Sequence, residues 1–220
     1  MKKKVLFIVN PISGTQNNIS WKEIISKNIQ SKRFDWDIYH TSSKGDATDK
    51  TKSSSTKYDL IVAIGGDGTI NEVAQGVVNT TTPMAIIPNG SGNGLAHHLN
   101  IPKNKNAAIQ LINTWNFQTI DTGTLNGNLF LNVAGVGFDA RISKVFDQFG
   151  KRGFTSYIYL SIKEFKNFIP SEYRLIVDGV ERKEKALLIT AANGSEYGNN
   201  AIIAPNAKTN DGVLDLVILK

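Results

Sequence analysis

The stretch YDLIVAIGGDGTINEVAQGVV, residues 58–78, decides the predicted fold. The apolar run Leu60–Ile64 predicts a buried strand, and from Ile70 onward apolar residues recur at the spacing of a helix. The five residues between them, Gly65–Thr69, are three glycines, one threonine and the acid Asp67. This string is too tight for an ordinary loop, so we expect a turn at which a ligand comes close to the main chain.

Free main-chain N–H groups and the positive end of the helix dipole meet where a strand turns into a helix. Glycines at such a turn let phosphates approach the main chain without a Cβ in the way. Asp67 would repel a bare phosphate. Its presence in the turn therefore indicates either that Mg²⁺ lies between the carboxylate and the phosphate or that Asp67 contacts a substrate hydroxyl. Thr69 fits a helix cap or a donor to a phosphate oxygen. The plainer alternative is a structural turn capped by Asp67, and the glycine string favours phosphate binding.

Two further glycine-containing turns follow predicted strands. The strand Met84–Ile87 runs into PNGSGNG, residues 88–94, and the strand Val5–Val9 runs into NPISG, residues 10–14. The carboxyl ends of parallel strands lie along one edge of a sheet, where α/β folds bind ligands, so three such turns predict one site. The chain has no Walker A loop and no G-x-G-x-x-G string at its first strand.

The order of predicted elements gives the fold class. Up to about Asn116, strands alternate with helices, which predicts an α/β domain with a doubly wound parallel sheet and includes a strand at Phe34–Thr41. The polar segment 42–57 fits a solvated helix or a loose loop equally well. Beyond Asn116 the pattern changes to two hairpins closed by Asn-Gly at 126–127 and Asp-Gly at 178–179, a helix between them and a last strand, GVLDLVILK. We therefore predict domains at 1–116 and 117–220, the second β-rich and sandwich-like.

Length and composition restrict the class of protein. The 220 residues are 40% apolar, enough for one sizeable core or two small ones, and no apolar run is long enough to span a membrane. The apolar part of the N-terminal segment is too short for a signal peptide. The absence of cysteine excludes disulfides and thiolate metal sites and is compatible with the cytoplasm. A net charge of +6 favours binding of nucleotide phosphates or of an anionic membrane surface, but a basic protein with no charged partner is an equal alternative on charge alone. We expect no nucleic-acid partner.

Five strings, in the order NPISG, GGDGTINEV, PNGSGNGLA, GVGFDARI and APNAKTNDGVLDLVIL, carry a resemblance to a known family. They resemble the diacylglycerol kinase catalytic-domain family of lipid kinases, which includes bacterial lipid kinases and the sphingosine and ceramide kinases. The resemblance runs from Asn10 to the end of the chain, and GGDGT-x-NE is its most specific part. It implies an N-terminal α/β domain like that of NAD kinases, a C-terminal β-sandwich that takes the lipid, and ATP in the cleft between them.

The resemblance also implies roles for single residues. Asp67 corresponds to the essential acid of the nucleotide loop, and Ser91 stands where bacterial members usually carry threonine. For Mg²⁺ it implies the carboxylate of Asp211 and the main-chain oxygens of Lys208 and Val213, a site that would order the sandwich from outside the cleft. The residues implied to contact the nucleotide are Asn10, Thr41, Gly65, Gly66, Asp67, Gly68, Thr69, Ile70, Asn71, Glu72 and Ser91.

The sequence departs from the family in three places. Asn93-Gly94-Leu95-Ala96 is closer to sphingosine kinases than to bacterial members, yet Arg141 stands where sphingosine kinases bind the head group with an aspartate. The family continues beyond LDLVILK, and its bacterial members carry a general-base glutamate in that stretch. We therefore expect an exposed last strand, and either a longer polypeptide or pairing with another chain, as in a homo-oligomer.

These observations predict transfer of the γ-phosphate of ATP to the hydroxyl of a lipid such as diacylglycerol, with Mg²⁺, at a membrane surface. Positioning and neutralisation of charge would supply most of the rate. Two alternatives remain open. One is an NAD kinase, which shares the GGDGT string; the other is a module that holds nucleotide without transferring phosphate.

Overall fold

The computed structural model describes residues 1–14, 20–149 and 154–220, without the side chains of residues 139, 143, 146–148 and 154–158. The chain divides into two compact units, Met1–Ile120 and Asp121–Lys220. None of the described helices is long and apolar enough to cross a membrane.

The first unit contains a four-stranded parallel sheet in the order β2-β1-β3-β4. Its strands are β1 (Lys3–Val9), β2 (Phe34–His40), β3 (Leu60–Gly65) and β4 (Met84–Pro88). Its helices are α1 (Trp21–Asn28), α2 (Asp46–Ser54), α3 (Asp67–Val77), α4 (Gly94–His98) and α5 (Lys105–Ile112). The predicted α/β arrangement with a parallel sheet is confirmed.

Alternate residues of the central strands enter the packing on the two faces of this sheet. On one face Phe7 and Val62 form a cluster with Ile25 of α1 and Ile109 of α5. The intervening residues of β1 and β3 are buried as well, since every residue of β3 is buried and so is Val5–Val9. A strand buried on both faces reads as a continuous apolar run, which is why these segments were recognisable in the sequence.

The described part of the second unit, residues 121–149 and 154–220, is built from antiparallel strands and two helices. A three-stranded sheet has the order β11-β10-β7, and two separate hairpins are formed by β5–β6 and β8–β9. The strands are β5 (Gly123–Leu125), β6 (Asn128–Phe130), β7 (Val133–Gly137), β8 (Ser171–Val177), β9 (Val180–Ala186), β10 (Leu188–Ala192) and β11 (Asp215–Leu219). The helices are α6 (Phe138–Gln148) and α7 (Phe154–Phe165). Among the described strands β11 lies at the edge of its sheet, as expected for GVLDLVILK.

Both predicted hairpin turns are present. Asn126 and Gly127 join β5 to β6 with φ of 52° and 78°, and Asp178 and Gly179 join β8 to β9 with φ of 50° and 82°. Positive φ at both central residues is the geometry of the two-residue turn that matches the twist of paired strands.

Three features differ from the prediction or go beyond it. The helix after β3 begins at Asp67 rather than Ile70, because the N–H of Ile70 already donates to Gly66 O (3.1 Å) and closes the first turn. The polar segment 42–57, left open above, contains α2. Helix α6 follows β7 directly, where we expected only the end of a hairpin.

Candidate functional site

The ends of the four parallel strands meet at one edge of the sheet. Each strand is followed at once by a loop, and these loops begin at Asn10, Thr41, Gly66 and Asn89. Main-chain hydrogen bonds continue the sheet into them: from the N–H of Asn10 to Ile64 O (3.0 Å), of Thr41 to Val9 O (2.9 Å) and of Asn89 to Gly65 O (2.7 Å). The three glycine-containing turns are therefore neighbours, as their positions in the sequence predicted.

A side-chain hydrogen bond joins the first turn to the turn after β3. Asn10 Nδ2 donates to Thr69 Oγ1 at 3.0 Å, and Asn10 Oδ1 accepts from the N–H of Ile12 at 3.1 Å. Thr69 is buried in the first turn of α3 and leaves no room for a side chain at Gly65, since a Cβ there would lie 2.5 Å from it. Gly65 is thus required by packing within the protein itself.

Asn89 joins the first turn to the turn after β4. Its Nδ2 donates to both the carbonyl oxygen and the hydroxyl of Ser13, each at 3.0 Å. Gly14, the last residue of NPISG, has φ of 78°, and a Cβ on it would lie 3.0 Å from Asn89. Only glycine adopts this backbone conformation without strain.

Asp67 joins the turns after β3 and β4. Its Oδ2 accepts the N–H of Asn93 at 2.8 Å, and the N–H groups of Gly94 and Leu95 also bond to this carboxylate. These three residues open helix α4, whose own N-cap Asn93 makes no side-chain capping bond. Asp67 therefore caps a helix that belongs to the neighbouring turn.

The main chains of the same two turns touch. A Cβ on Gly90 would lie 2.4 Å from the Cα of Gly66, a distance that real Cβ atoms do not reach. Asn93 closes the turn from inside, because its side-chain oxygen accepts the N–H of Gly90 and its Nδ2 donates to Gly90 O, both at 2.8 Å. Its left-handed φ of 55° is one that asparagine tolerates better than most residues.

The carboxyl of Asp67 is held in an unusual electrostatic setting. Desolvation of the carboxyl group by the protein atoms around it raises the pKa of Asp67, although the residue as a whole is exposed. The N–H groups of Asn93, Gly94 and Leu95 act in the opposite direction, because they favour the ionised form. The net direction is upward, so this acid binds a proton more tightly than an ordinary aspartate.

Gly68 differs from Gly65, Gly66 and Gly90, because no contact with the described residues explains why it lacks a side chain. Within residues 1–14, 20–149 and 154–220, no heavy atom lies within 4 Å of a Cβ added there, and the φ of Gly68 lies outside the left-handed region. The absence of a side chain therefore leaves an open space above the first turn of α3, where helix N–H groups and the dipole favour an anion.

The other residues predicted for this site lie on the same elements. Ile70 is buried in α3, and Glu72 is half-buried with its carbonyl oxygen accepting from Thr48 Oγ1 at 2.9 Å. Asn71 is half-buried beside it, and Ser91 is exposed in the turn after β4.

The residues predicted to bind Mg²⁺ lie in one loop of the second unit. Asp211 Oδ1 accepts the N–H of Val213 at 3.1 Å, and Lys208 is exposed in the same loop. Sequence reasoning missed Asp121, whose Oδ2 accepts the N–H of Gly212 at 2.7 Å and whose own N–H donates to Thr209 O at 2.6 Å. Among the described residues no group of three or more His, Asp or Glu side chains has the arrangement of a metal site.

A family model described as "Diacylglycerol kinase catalytic domain" matches residues 4–125, more than half of the chain. The chain belongs to this family of kinases. A second model, described as "YegS C-terminal NAD kinase beta sandwich-like domain", matches residues 132–220. The antiparallel second unit is therefore of the β-sandwich-like class predicted from the sequence.

Relatives of this family match most of the chain. A diacylglycerol kinase of Bacillus subtilis is 30% identical over 228 residues, which cover 99% of this chain and 74% of that protein. A diacylglycerol kinase of Mycobacterium tuberculosis is 32% identical over 168 residues, covering 73% of this chain and 54% of the relative. The crystal structure of a diacylglycerol kinase from Bacillus anthracis superposes with a TM-score of 0.77 at 30% identity, covering 99% of this chain and 74% of that one. The chain thus spans between about half and three quarters of these relatives.

Proposed function

We propose that the chain is a lipid kinase that transfers the γ-phosphate of ATP to the hydroxyl of a lipid such as diacylglycerol. The observation that carries the proposal is the surface formed by three turns that are bonded to one another and open above Gly68. The kinase family of the chain supports it independently. Residues 1–116 would hold the nucleotide, and residues 117–220 the lipid.

In this proposal the turns bind the triphosphate mainly through main-chain N–H groups. Gly65–Asn71 would line the phosphates, and Asn10, Thr41, Glu72 and Ser91 would contact the nucleotide from the loops around them. Mg²⁺ bound to the phosphates would neutralise part of their charge, as it does in other phosphoryl transfers. The chain's own contribution is a rigid arrangement of donors, because fixed dipoles need no reorganisation when charge moves.

Asp67 is proposed as the acid on which turnover depends. An ionised carboxylate offers about four lone-pair positions, and the N–H groups of Asn93, Gly94, Leu95 and Asp67 itself act on it. Asp67 therefore acts first as a positioning residue that fixes the turn after β4 against α3. Contact with a hydroxyl or a metal would be an addition to this positioning role.

A second Mg²⁺ is proposed at the loop of Lys208, Asp211 and Val213. One carboxylate and main-chain carbonyl oxygens are the hard ligands that Mg²⁺ prefers, and such a site needs no cluster of acids. Asp121 fits the same site indirectly, because its bond to Gly212 holds the turn beside Asp211. The ion would order the loop rather than take part in transfer.

The acceptor is proposed to be a lipid alcohol held at a membrane surface, since a long-chain substrate resides there. The net charge of +6 suits an anionic surface. Assays should therefore present the lipid in mixed micelles or vesicles.

The proposal is tested by two measurements on the same preparation. Calorimetry measures ATP binding with Mg²⁺, and radiolabelled ATP measures transfer to a panel of lipid alcohols and to NAD. Transfer to a lipid supports the proposal, whereas transfer to NAD alone would make the chain an NAD kinase. Binding without any transfer would identify a nucleotide-binding module.

Gly68→Ala is expected to weaken ATP binding without harming the fold. The added methyl group enters the open space at the phosphate site and should raise the Kd for ATP on the order of tenfold. The free energy of unfolding should stay the same or rise by up to about 1 kcal/mol, because alanine favours a helix more than glycine. Calorimetry and urea unfolding measure the two effects.

Gly76→Ala is the matched control in the same helix. A Cβ on Gly76 would lie 2.4 Å from the side chain of Thr51, so this variant should lose about 1–3 kcal/mol of stability. Unchanged ATP affinity in a well-folded Gly68→Ala protein would remove the phosphate site from the first turn of α3.

Mg²⁺ is expected to raise the melting temperature of the wild-type chain by a few degrees through the Asp211 loop. Asp211→Asn should lose this increase, because an amide binds Mg²⁺ far more weakly than a carboxylate, while its melting temperature without metal changes little. Thermal unfolding with and without Mg²⁺, in the absence of ATP, measures this. An equal increase in both proteins would place the ion elsewhere.

A further inference from the structure

The loops at the carboxyl edge of the sheet hold few positive charges for a site proposed to bind a triphosphate. The segments between strand and helix are residues 10–20, 41–45, 66 and 89–93, and by sequence they contain one Lys, Arg or His in total, Lys44. Nucleoside triphosphates stay anionic when Mg²⁺ is bound, so a cation near the phosphates would add to the N–H groups of the turns.

Lys44 stands on a loop whose shape is fixed. Asp46 Oδ2 accepts from the N–H and the hydroxyl of Ser42 at 2.7 and 2.9 Å, and its Oδ1 accepts from Tyr39 Oη at 2.7 Å. Gly45, between Lys44 and α2, has φ of 87°. The hydrogen bond of the Thr41 N–H to Val9 anchors the other end of the loop.

The ammonium group of Lys44 is available to a ligand. Lys44 is exposed, and no hydrogen-bond or ion-pair partner of it occurs in the part of the chain that the structure describes. Three other lysines of the first unit are engaged: Lys2 pairs with Asp35 at 3.0 Å, Lys3 pairs with Asp59 at 2.9 Å, and Lys50 lies 4.8 Å from the centre of the Tyr39 ring.

The sheet order puts this loop within reach of the glycine turns. Strands β2 and β3 both pair with β1, so their ends lie about 10 Å apart. A triphosphate above Gly66 and Gly68 bridges part of that separation, and the flexible four-carbon stem of a lysine bridges the rest.

We propose that Lys44 is a nucleotide-binding residue that contacts the phosphates of a nucleoside triphosphate bound at the glycine turns. The inference rests on the proposed function and adds to it the one cation of the loops. Lys44 contributes affinity and orientation of the phosphates, whereas the turns contribute the N–H groups.

The experiment compares Lys44→Met with Lys44→Arg and with Lys52→Met, a control that removes an exposed lysine from the last turn of α2. Lys44→Met is expected to raise the Kd for MgATP roughly tenfold, since a charge-assisted contact is lost. Lys44→Arg should stay within about twofold of wild type, because it keeps the charge, and Lys52→Met should be unchanged. Added salt should weaken ATP binding less in Lys44→Met than in wild type.

The outcomes separate this inference from the function on which it rests. Wild-type affinity in Lys44→Met, or an equal loss in Lys52→Met, would overturn the role of Lys44 and leave the proposed kinase intact. Failure of the wild-type chain to bind MgATP would overturn both. Equal melting temperatures of the four proteins show that the comparison reports binding rather than folding.

Discussion

Asp67→Asn is expected to lower turnover by a factor on the order of 10³ while the chain remains folded. Asparagine has a single acceptor oxygen, and its NH₂ group would face main-chain N–H groups that now bond to the carboxylate of Asp67. The turn after β4 would lose part of its anchor, and the negative charge would be gone. Radiolabelled-ATP assays with saturating lipid measure the loss. Full activity in a folded Asp67→Asn protein would remove the central residue of the proposal.

The same variant is expected to change how stability depends on pH. Because desolvation of the carboxyl group raises the pKa of Asp67, the folded chain binds a proton there more tightly than the unfolded chain does. This group therefore stabilises the fold below its ordinary pKa, and that contribution is lost as the pH rises through the raised value. Urea unfolding of both proteins at acidic and neutral pH should show wild type losing stability, relative to Asp67→Asn, as the pH rises. The opposite slope would mean that the N–H groups lower the pKa of Asp67 by more than desolvation raises it.

The parallel sheet could be predicted from the sequence because the evidence for each strand lies in consecutive residues. A strand such as Leu60–Ile64 is buried on both faces, so its apolar run appears in consecutive residues. The hairpin turns were equally readable, since Asn-Gly and Asp-Gly favour the positive φ that those turns require. The start of α3 was placed late because glycine and aspartate look like loop residues, although here they form the first turn of a helix.

What the sequence did not show are contacts between residues far apart in the chain. The spacing of GGDGT explains why Asp67 lies at a strand end, but not that its carboxylate caps α4, 26 residues later. Asp121 and its bond to Gly212 span 91 residues and belong to no short string. The role proposed for Lys44 likewise depends on the sheet order, which places β2 next to β1 and two strands from β3.

Gly90→Ala is expected to disrupt the candidate site although it adds only one methyl group. The new Cβ would lie 2.4 Å from the Cα of Gly66 and 2.9 Å from Asn93 Oδ1, so both contacts are with atoms that cannot turn aside easily. The turns after β3 and β4 must separate, which strains the bond between Asp67 and Asn93. We expect a loss of about 1–3 kcal/mol in the free energy of unfolding and a rise in the Kd for ATP well above that of Gly68→Ala.

Gly68→Ala is the control for Gly90→Ala, because both variants add one methyl group to the same site. The first places it in open space and the second between two main chains, so only Gly90→Ala should lose stability and affinity together. Calorimetry at a temperature where urea unfolding shows Gly90→Ala fully folded separates the loss of the site from the loss of the fold. If Gly90→Ala then binds ATP as tightly as wild type, the close contact of the two turns is not what shapes the phosphate site, and the N–H groups of α3 alone must hold the nucleotide.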